Sequence, residues 1–276
     1  MNIDGKVLHS LNAVLRPANR SYRYGDGLFE TMRVNNGHIS LAKLHFERLN
    51  NGLSVLKFKV PKSFTQEKLE TEILELCKKN KCESLARVRL SVSRGNGGLY
   101  DGDENFQHVI ECWPLQKTTI QLNKNGLIID FFPDGHKNCD AFSNLKSANH
   151  LIYVMAAQYA KENKLNDCLV LNIHGRICDS TVANVFWIKD QNIFTPPLSE
   201  GCIAGVMRRH LLTRLQGAAH TLQEKPCELN DLENADEIFV TNAIQGIRWV
   251  KQFRDKKYNG DVAAKIYKQV NQSDRQ

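Results

Sequence analysis

The stretch SNLKSAN, residues 143–149, separates an irregular segment from a predicted amphipathic helix at Asn149–Glu162. Lys146 stands at its centre. A lysine at such a junction is either a solvated surface residue or an amine that forms a Schiff base with an aldehyde. The second chemistry requires a lowered pKa, which burial or a neighbouring cation provides. Spacing alone favours the solvated residue, so a catalytic interpretation depends on the other motifs of the chain.

Composition places the chain among ordinary globular proteins. It has 276 residues, of which 42% are hydrophobic and 24% charged, with a formal net charge of +7. The basic residues are spread along the chain without interleaved aromatic residues, so we expect no nucleic-acid partner. No apolar run approaches the length of a membrane span, so we expect no membrane partner either.

Cysteine usage indicates a reducing compartment. The eight cysteines include no C-x-x-C pair, so we expect no metal site, and a chain of this size needs no disulfide framework. The first ten residues lack the apolar core of a signal peptide. We therefore expect free thiols and a cytoplasmic protein.

The first part of the chain predicts a β-rich domain with inserted helices. Alternation and an Asn-Gly turn at residues 36 and 37 predict strands at Phe29–Val34, His38–Leu41, Leu85–Ser93 and Phe106–Trp113. Helical spacing predicts helices at Lys43–Val55 and Thr65–Asn80. The polar segment Pro114–Asn125 lacks periodicity, and we place the boundary there, with domains at 1–116 and 117–276.

The second part alternates strands and helices in a different order, which indicates a mixed α/β fold. The predicted strands are Leu127–Phe132, Cys168–Ile173, Arg176–Cys178, Ala183–Lys189, Asn192–Thr195 and Glu237–Thr241. The predicted helices are Asn149–Glu162, Gly205–Leu215 and Val262–Val270.

An acid follows one of these strands, in GRICDSTVANVF, residues 175–186. Asp179 is either an ordinary turn or cap residue, or a carboxylate that keeps a pyridine nitrogen protonated. A charged pyridine ring withdraws electrons from a substrate carbon, which is the chemistry of pyridoxal phosphate (PLP).

Three segments are candidates for binding a phosphate. The stretch GCIAGVMR, residues 201–208, leads into a helix whose first N–H groups face an anion. Thr241–Ala243 follows a strand and offers a hydroxyl and backbone donors. Arg48 lies on a predicted helix, where it supplies either a bidentate fork to the phosphate or a surface salt bridge.

Two glycine-rich turns are candidates for the substrate pocket. They are YGDGLFET at residues 24–31 and SRGNGG at residues 93–98. Arg94, beside flexible glycines, either reaches a substrate carboxylate or is exposed. Tyr24 is a candidate for the pocket wall.

Together and in this order, the motifs resemble the class IV aminotransferase family from Arg20 to about Arg248. The matching segments are YGDGLFET (24–31), LHFERL (44–49), KSAN (146–149), ANVF (183–186), IAGVMR (203–208) and TNA (241–243). The resemblance implies a two-domain α/β (α+β) protein of fold type IV, with a small α/β N-terminal domain and a larger, β-barrel-like α/β C-terminal domain. It also implies PLP at the domain interface and a homodimer.

The resemblance assigns roles to individual residues. Lys146 is the Schiff-base lysine, and Asp179, with Asn184 in the same segment, belongs to the pyridine end of the cofactor site. The phosphate contacts are assigned to Arg48, Ile203, Ala204, Thr241, Asn242 and Ala243. The family usually has glutamate in place of Asp179. The shorter aspartate reaches the nitrogen after a small backbone shift or through a water.

Within the family, three features favour a 4-amino-4-deoxychorismate lyase of folate biosynthesis. KSAN lacks the glycine pair of branched-chain enzymes, SRGNGGLY (93–100) resembles the lyase segment, and so does Phe29–Thr31. Leu99 departs from this pattern, because some lyases carry a basic residue there. The alternative is an aminotransferase acting on branched-chain or D-amino acids with 2-oxoglutarate.

Overall fold

A computed structural model describes residues 1–9, 11, 15–102, 105–215 and 221–273. The chain forms two compact units, which are described separately. The first comprises Met1–Thr119 and Leu145–His150, and the second Ile120–Asn144 and Leu151–Gln276. The break after Thr119 lies close to the predicted boundary. The segment Leu145–His150, which that boundary assigns to the C-terminal domain, instead folds with the first unit.

The first unit is a mixed sheet-and-helix structure. Its strands are β1 (Asn2–Ile3), β2 (Lys6–Val7), β3 (Gly27–Asn35), β4 (His38–Ile39), β5 (Leu85–Ser93) and β6 (Gln107–Pro114), in the order β2-β1-β6-β5-β3-β4. Its helices are α1 (Arg20–Tyr24), α2 (Ala42–Val55) and α3 (Gln66–Lys79). The helices predicted at 43–55 and 65–80 are confirmed within one residue at each end.

The predicted hairpin is also present. Asn36 and Gly37 adopt φ angles of 48° and 76°, and Val34 pairs with Ile39 across the turn. Positive φ at both central residues is the geometry that matches the right-handed twist of the two strands, and Asn-Gly adopts it readily.

Alternating residues of β5 build the core of this unit. Val88, Leu90 and Val92 are buried on one face, while Arg87 and Arg89 on the other face are not. Residues from α2 and α3, such as Leu53 and Ile73, complete the same apolar cluster. The period of two in the sequence therefore predicted this strand correctly.

The segment 145–150 lies along the start of β3. The Phe29 N–H donates to the Lys146 carbonyl at 2.9 Å, and the Ala148 N–H donates to the Gly27 carbonyl at 2.8 Å. A Cβ on Gly27 would stand 2.3 Å from the Ser21 hydroxyl and 2.6 Å from the Val92 carbonyl. Only glycine fits there, because α1 and β5 approach the backbone of β3 closely at this position.

The second unit contains a nine-stranded sheet. Its strands are β7 (Leu127–Lys137), β8 (Asp167–Asn172), β9 (Ile177–Ser180), β10 (Asn184–Lys189), β11 (Asn192–Thr195), β12 (Leu222–Glu224), β13 (Glu237–Asn242), β14 (Gly246–Phe253) and β15 (Lys256–Lys257). The order is β12-β11-β10-β13-β14-β7-β8-β9, and β15 pairs with β14. The helices are α4 (Leu151–Glu162), α5 (Val206–Arg214), α6 (Leu229–Glu233) and α7 (Asp261–Ser273).

Strand β7 runs beyond its predicted end at Phe132. Pro133 and its polar neighbours follow the predicted end, and the structure includes them in the strand as an irregularity in its pairing. Phe131 pairs with Leu169, and pairing resumes at His136 with Leu171. A bulge of this kind lets a strand pass a proline without ending. The extension places Lys137 in the sheet.

Helix α7 is the closing helix predicted at 262–270. Both carboxylate oxygens of Glu237, at the start of β13, accept its first N–H groups, from Val262 at 2.9 Å and Ala263 at 3.0 Å. A buried carboxylate here satisfies two donors that have no partner inside the helix. Among the described residues, no helix is both long and apolar enough to cross a membrane.

Replacing Glu237 by glutamine tests this cap. The amide keeps one acceptor oxygen and turns an NH2 group toward a helix N–H. We expect Glu237→Gln to lower the free energy of unfolding by about 1–2 kcal/mol, the usual cost of a lost cap. Urea denaturation measures it. The matched control Glu162→Gln, on the exposed face of α4, should change stability by less than about 0.5 kcal/mol. Equal effects of the two substitutions would contradict the assignment.

Candidate active site

Lys146 lies against an aromatic ring in the first unit. Its Nζ is 4.9 Å from the ring centroid of Phe29 and 3.5 Å from Nε2 of His150. The Phe29 and His150 rings meet edge to face at 5.1 Å. The lysine is half-buried, so its amine does not project freely into solvent. Lys146 is therefore not a fully solvated surface residue.

Arg89 contacts the same Phe29 ring as Lys146. Its guanidinium carbon is 3.7 Å from the ring centroid, and burial lowers the pKa of Arg89 while Glu111 on the paired strand opposes that shift. A half-buried cation beside the lysine's aromatic contact is an anion-binding candidate. Sequence reasoning missed its role. The available signal was an arginine on the polar face of a strand whose other face is core.

Arg48 belongs to a buried cluster with Glu30 and His45. Arg48 Nε donates to Glu30 Oε1 at 2.8 Å, and its Nη2 donates to Oε2 at 2.5 Å. The side chains of Arg48 and Glu30 are 14% and 2% exposed, so this is not the surface salt bridge weighed from the sequence. Phe29 and Glu30 are adjacent on β3, which ties Lys146 and Arg48 to neighbouring residues of one strand.

His45 supplies a third contact to the same carboxylate. Its Nδ1 lies 2.6 Å from Glu30 Oε2. Because an ionised carboxylate only accepts hydrogen bonds, Nδ1 must carry the proton. Burial alone would raise the pKa of Glu30, but the Arg48 charge and the hydrogen bonds from His45 and Arg48 outweigh it and lower that pKa to about 2. Glu30 therefore stays anionic and holds the arginine in a fixed orientation.

Arg94 is closed into a network of its own. Its Nε donates to Asp26 Oδ2 at 3.1 Å, and its Nη2 donates to the Leu56 carbonyl at 2.6 Å. The guanidinium stacks on Phe58 at 4.3 Å. Arg94 is thus not the exposed residue that the sequence left open. Tyr24, by contrast, ends α1 with its side chain exposed.

Asp179 is the centre of the candidate site in the second unit. It is fully buried on β9. Its Oδ2 accepts from the Ile203 N–H at 2.9 Å, the Tyr153 hydroxyl at 2.8 Å and Lys137 Nζ at 3.3 Å. Its Oδ1 accepts from the Asn184 amide at 2.9 Å. The ordinary turn or cap residue weighed from the sequence does not describe such a carboxylate.

Lys137 and Tyr153 are residues that sequence reasoning missed. Burial raises the pKa of Asp179, although the Lys137 charge and the donors from Ile203 and Tyr153 counteract part of that shift. Burial and the Asp179 charge raise the pKa of Tyr153 well above its usual value, so it remains a hydroxyl donor. The charge of Asp179 therefore depends on Lys137. No sequence signal marked Lys137, because it lies beyond the predicted end of the strand at Phe132.

The second predicted phosphate turn packs against the same carboxylate. Asn184 Nδ2 donates to the Ile203 carbonyl at 2.8 Å as well as to Asp179, so it fixes both segments. The Ile203 N–H donates to Asp179, and the Ala204 N–H donates to the Asn144 carbonyl at 3.0 Å. A Cβ on Gly205 would collide with the Asn184 side chain. Helix α5 begins directly after that glycine.

The third predicted segment, Thr241–Ala243, lies at the end of β13. The Thr241 hydroxyl is buried and has no hydrogen-bond partner among the described residues. Asn242 accepts from the N–H groups of Ile244 and Gln245 at 3.0 and 2.8 Å, which shapes the turn into β14. A buried hydroxyl without a partner is costly unless a ligand supplies an acceptor.

Comparison with known proteins identifies the class. The amino-transferase class IV model matches residues 27–253, and the chain belongs to this family. The aminodeoxychorismate lyase of Vibrio harveyi is 29% identical over 83% of each chain. The D-alanine aminotransferase of Bacillus licheniformis is 26% identical over 87% of this chain and 83% of its own.

The fold agrees with this membership. The crystal structure of 4-amino-4-deoxychorismate lyase from Pseudomonas aeruginosa matches with a TM-score of 0.83 and 26% identity, covering 98% of this chain and 97% of that one. The predicted α/β class is thereby confirmed. Family membership makes the chain a PLP-dependent enzyme, and the unpartnered Thr241 hydroxyl and the buried Asp179 carboxylate fit a phosphate and a protonated pyridine nitrogen.

The Glu30 cluster makes a pH-dependent contribution to stability. The pKa of Glu30 falls from 4.5 to about 2 on folding, so the stabilisation is complete above pH 4.5 and is lost as pH falls toward 2. Such a shift is worth on the order of 3 kcal/mol. We expect Glu30→Gln to be less stable in urea at neutral pH, with the gap from wild type narrowing through that window.

The control is Glu47→Gln, on the same helix as Arg48 but partly exposed beside Lys43. The difference in stability between wild type and Glu47→Gln should not narrow comparably as pH falls from 4.5 toward 2. A gap between wild type and Glu30→Gln that stays constant down to pH 2 would show that Glu30 stabilises the fold by packing and not by its charge.

Proposed function

We propose that the chain is a PLP-dependent 4-amino-4-deoxychorismate lyase, which releases pyruvate and leaves 4-aminobenzoate for folate biosynthesis. The observation that carries the proposal is the similarity, over nearly the whole chain, to the lyase from Pseudomonas aeruginosa. The lyase from Vibrio harveyi adds a second relative of the same activity. The glycine-rich segment at 93–98 supports the same choice.

Lys146 is the proposed covalent attachment point of the cofactor and the general base. When bound, PLP withdraws electrons from the substrate carbon that carries the amine. The Lys146 amine takes the proton from that carbon, the neighbouring C–O bond breaks as the ring becomes aromatic, and Lys146 gives the proton to the leaving group, which departs as pyruvate. Phe29 and His150 limit where Nζ can move, since both lie against it.

Arg48 is the proposed phosphate ligand of the first unit, and Thr241 that of the second. Glu30 and His45 act through Arg48, because they fix the plane of its guanidinium. Thr241 offers its buried hydroxyl, while Asn242 and Ala243 present the turn that follows. The first N–H groups of α5, after Ile203, Ala204 and Gly205, supply further donors to the anion.

Asp179 is the proposed partner of the pyridine nitrogen. Three of its four hydrogen-bond donors converge on Oδ2, and Oδ1 receives one. Oδ1 is therefore the oxygen that we assign to the nitrogen. Asn184 orients the carboxylate and Lys137 keeps it ionised, which compensates for the aspartate that replaces the usual glutamate.

The substrate contacts are proposed at one end of the first unit. Arg94 is a candidate for a substrate carboxylate, which would take over donors now used by Asp26 and Leu56. Arg89 is a second candidate, because it lies on the same ring as Lys146. Tyr24 is the proposed wall of the pocket.

A class IV aminotransferase is the second candidate function. The similarity to the D-alanine aminotransferase covers 87% of this chain, a slightly larger share than the Vibrio lyase covers. A transaminase requires a second half-reaction with a keto acid, whereas the lyase does not. The two are therefore separable by their products.

We further propose a homodimer that works in the cytoplasm. All eight cysteines carry free thiols, which persist in a reducing compartment. The dimer follows from the family resemblance, and sedimentation of the purified protein would establish it.

The product assay tests the proposed reaction. Purified protein should be yellow, and borohydride should fix the cofactor to the peptide that contains Lys146. With aminodeoxychorismate we expect pyruvate, and Lys146→Ala should reduce its release by about 10²–10⁴-fold. Lys43→Ala, an exposed lysine, is the control. Rapid amino transfer from branched-chain or D-amino acids to 2-oxoglutarate, without pyruvate, would favour the second candidate.

Lys137 is expected to act through Asp179. Lys137→Met removes the nearest cation, so the pKa of Asp179 should rise further and kcat/KM should fall about 10- to 100-fold. The acidic limb of the pH profile should move to higher pH, and Lys137→Arg should restore part of the loss. Lys189→Met, which breaks a surface ion pair, is the control. A fall in kcat/KM without a shift of the pH profile would limit Lys137 to a structural role.

A further inference from the structure

Three cysteines converge in the first unit. Cys77 lies in the last turn of α3, Cys82 in the turn before β5, and Cys112 on β6. Their three sulfur atoms all lie within 4.8 Å of one another, and Sγ of Cys82 is 3.8 Å from Sγ of Cys112. The sequence did not indicate this group, since its members come from separate elements with no metal-binding spacing.

The surroundings of this cysteine trio are apolar. Cys77 and Cys82 are buried within the main core cluster, and Cys112 is partly buried at its edge. The nearby polar atoms are main-chain carbonyls, of Cys77 at 3.5 Å from Cys82 Sγ and of Leu76 at 3.8 Å from Cys112 Sγ. Within the described residues, this potential ligand group contains no histidine and no carboxylate.

We propose that the cysteine trio binds one soft cation, Cu(I), through three sulfur ligands. In an equilateral triangle with the observed 3.8 Å edge, the centre would lie about 2.2 Å from each sulfur, close to the ~2.3 Å of metal–thiolate bonds. The other two Sγ–Sγ distances are each at most 4.8 Å, and they would shorten toward 3.8 Å when the ion binds. Each thiol that becomes a thiolate on binding releases one proton to solvent.

The donor set selects the ion. Thiolate ligands favour Cu(I) and zinc over harder cations such as Mg²⁺. Zinc sites are almost always four-coordinate, and within the described part of the chain no fourth histidine, cysteine or carboxylate joins the three cysteines. Cu(I) accepts three sulfurs without a fourth donor. The partly buried Cys112 is the side from which an ion enters.

A disulfide explains the trio less well. It would use two of the three sulfurs and leave the third without a role, and intracellular disulfides are rare. Simple packing of three small residues is the remaining alternative, and it predicts no preference for any metal.

The test is a competition titration of the PLP-loaded, reduced enzyme. Cu(I) is added without oxygen in the presence of bicinchoninate, a coloured Cu(I) chelator. We expect one Cu(I) per chain to be withdrawn from the chelator. Cys112→Ser should weaken this binding by more than the roughly 10- to 100-fold typical of losing an outer-shell partner, because it removes a ligand. Cys139→Ser, a partly buried cysteine of the second unit, is the matched control.

Alkylation of the wild-type enzyme provides a measurement that needs no variant. Cu(I) should slow iodoacetamide labelling of Cys112 and leave labelling of Cys139 unchanged. Failure to compete with the chelator, or equal binding by Cys112→Ser and Cys139→Ser, overturns the proposal. Tighter binding of Zn(II) at the same three thiols overturns the choice of ion. Formation of a Cys82–Cys112 disulfide without Cu(I) uptake assigns the trio to redox chemistry instead.

Discussion

A carboxylate taken out of water must find a cation and directed donors, and this constraint organises both parts of the candidate site. Glu30 in the first unit and Asp179 in the second are buried to within 2% exposure. Each is the point on which several elements converge: β3 and α2 at Glu30, and β7, β9, β10 and α4 at Asp179. Removing either partner of such a pair costs far more than an exposed ion pair is worth.

The pKa values of the two carboxylates are nevertheless shifted in opposite directions. Glu30 receives a bidentate arginine and a histidine, and its pKa falls to about 2. Asp179 receives a single ammonium group at 3.3 Å, and its pKa rises. A permanent anion suits Glu30, which only orients Arg48. Burial raises the pKa of Asp179 and Lys137 opposes that shift, so the charge of this carboxylate depends on its neighbours.

The chain departs from the family pattern at Asp179 and at Leu99, and the two departures differ in their consequences. The aspartate in place of glutamate is accommodated by a local network, because Lys137, Tyr153, Asn184 and the Ile203 amide hold it in one position. Leu99 has no such compensation and bears on the choice between lyase and aminotransferase. The cysteine trio belongs to neither question. It lies in the core of the first unit and provides a soft donor set for a metal ion.

Sequence by itself determined the periodic elements and the family. Alternation in Leu85–Ser93, the Asn-Gly turn and the helical spacing of α2 and α3 are local signals, and local backbone preferences are enough to realise them. The ordered motifs around Arg48, Lys146 and Asp179 identified the chemistry. Tertiary structure decided what each of these residues touches. Lys137 reaches Asp179 only because β7 bulges past Pro133, and Lys146 joins the first unit only because its backbone pairs with Gly27 and Phe29. Such contacts join residues far apart in the chain, and no periodicity records them, because burial and pairing geometry arise only when the elements pack.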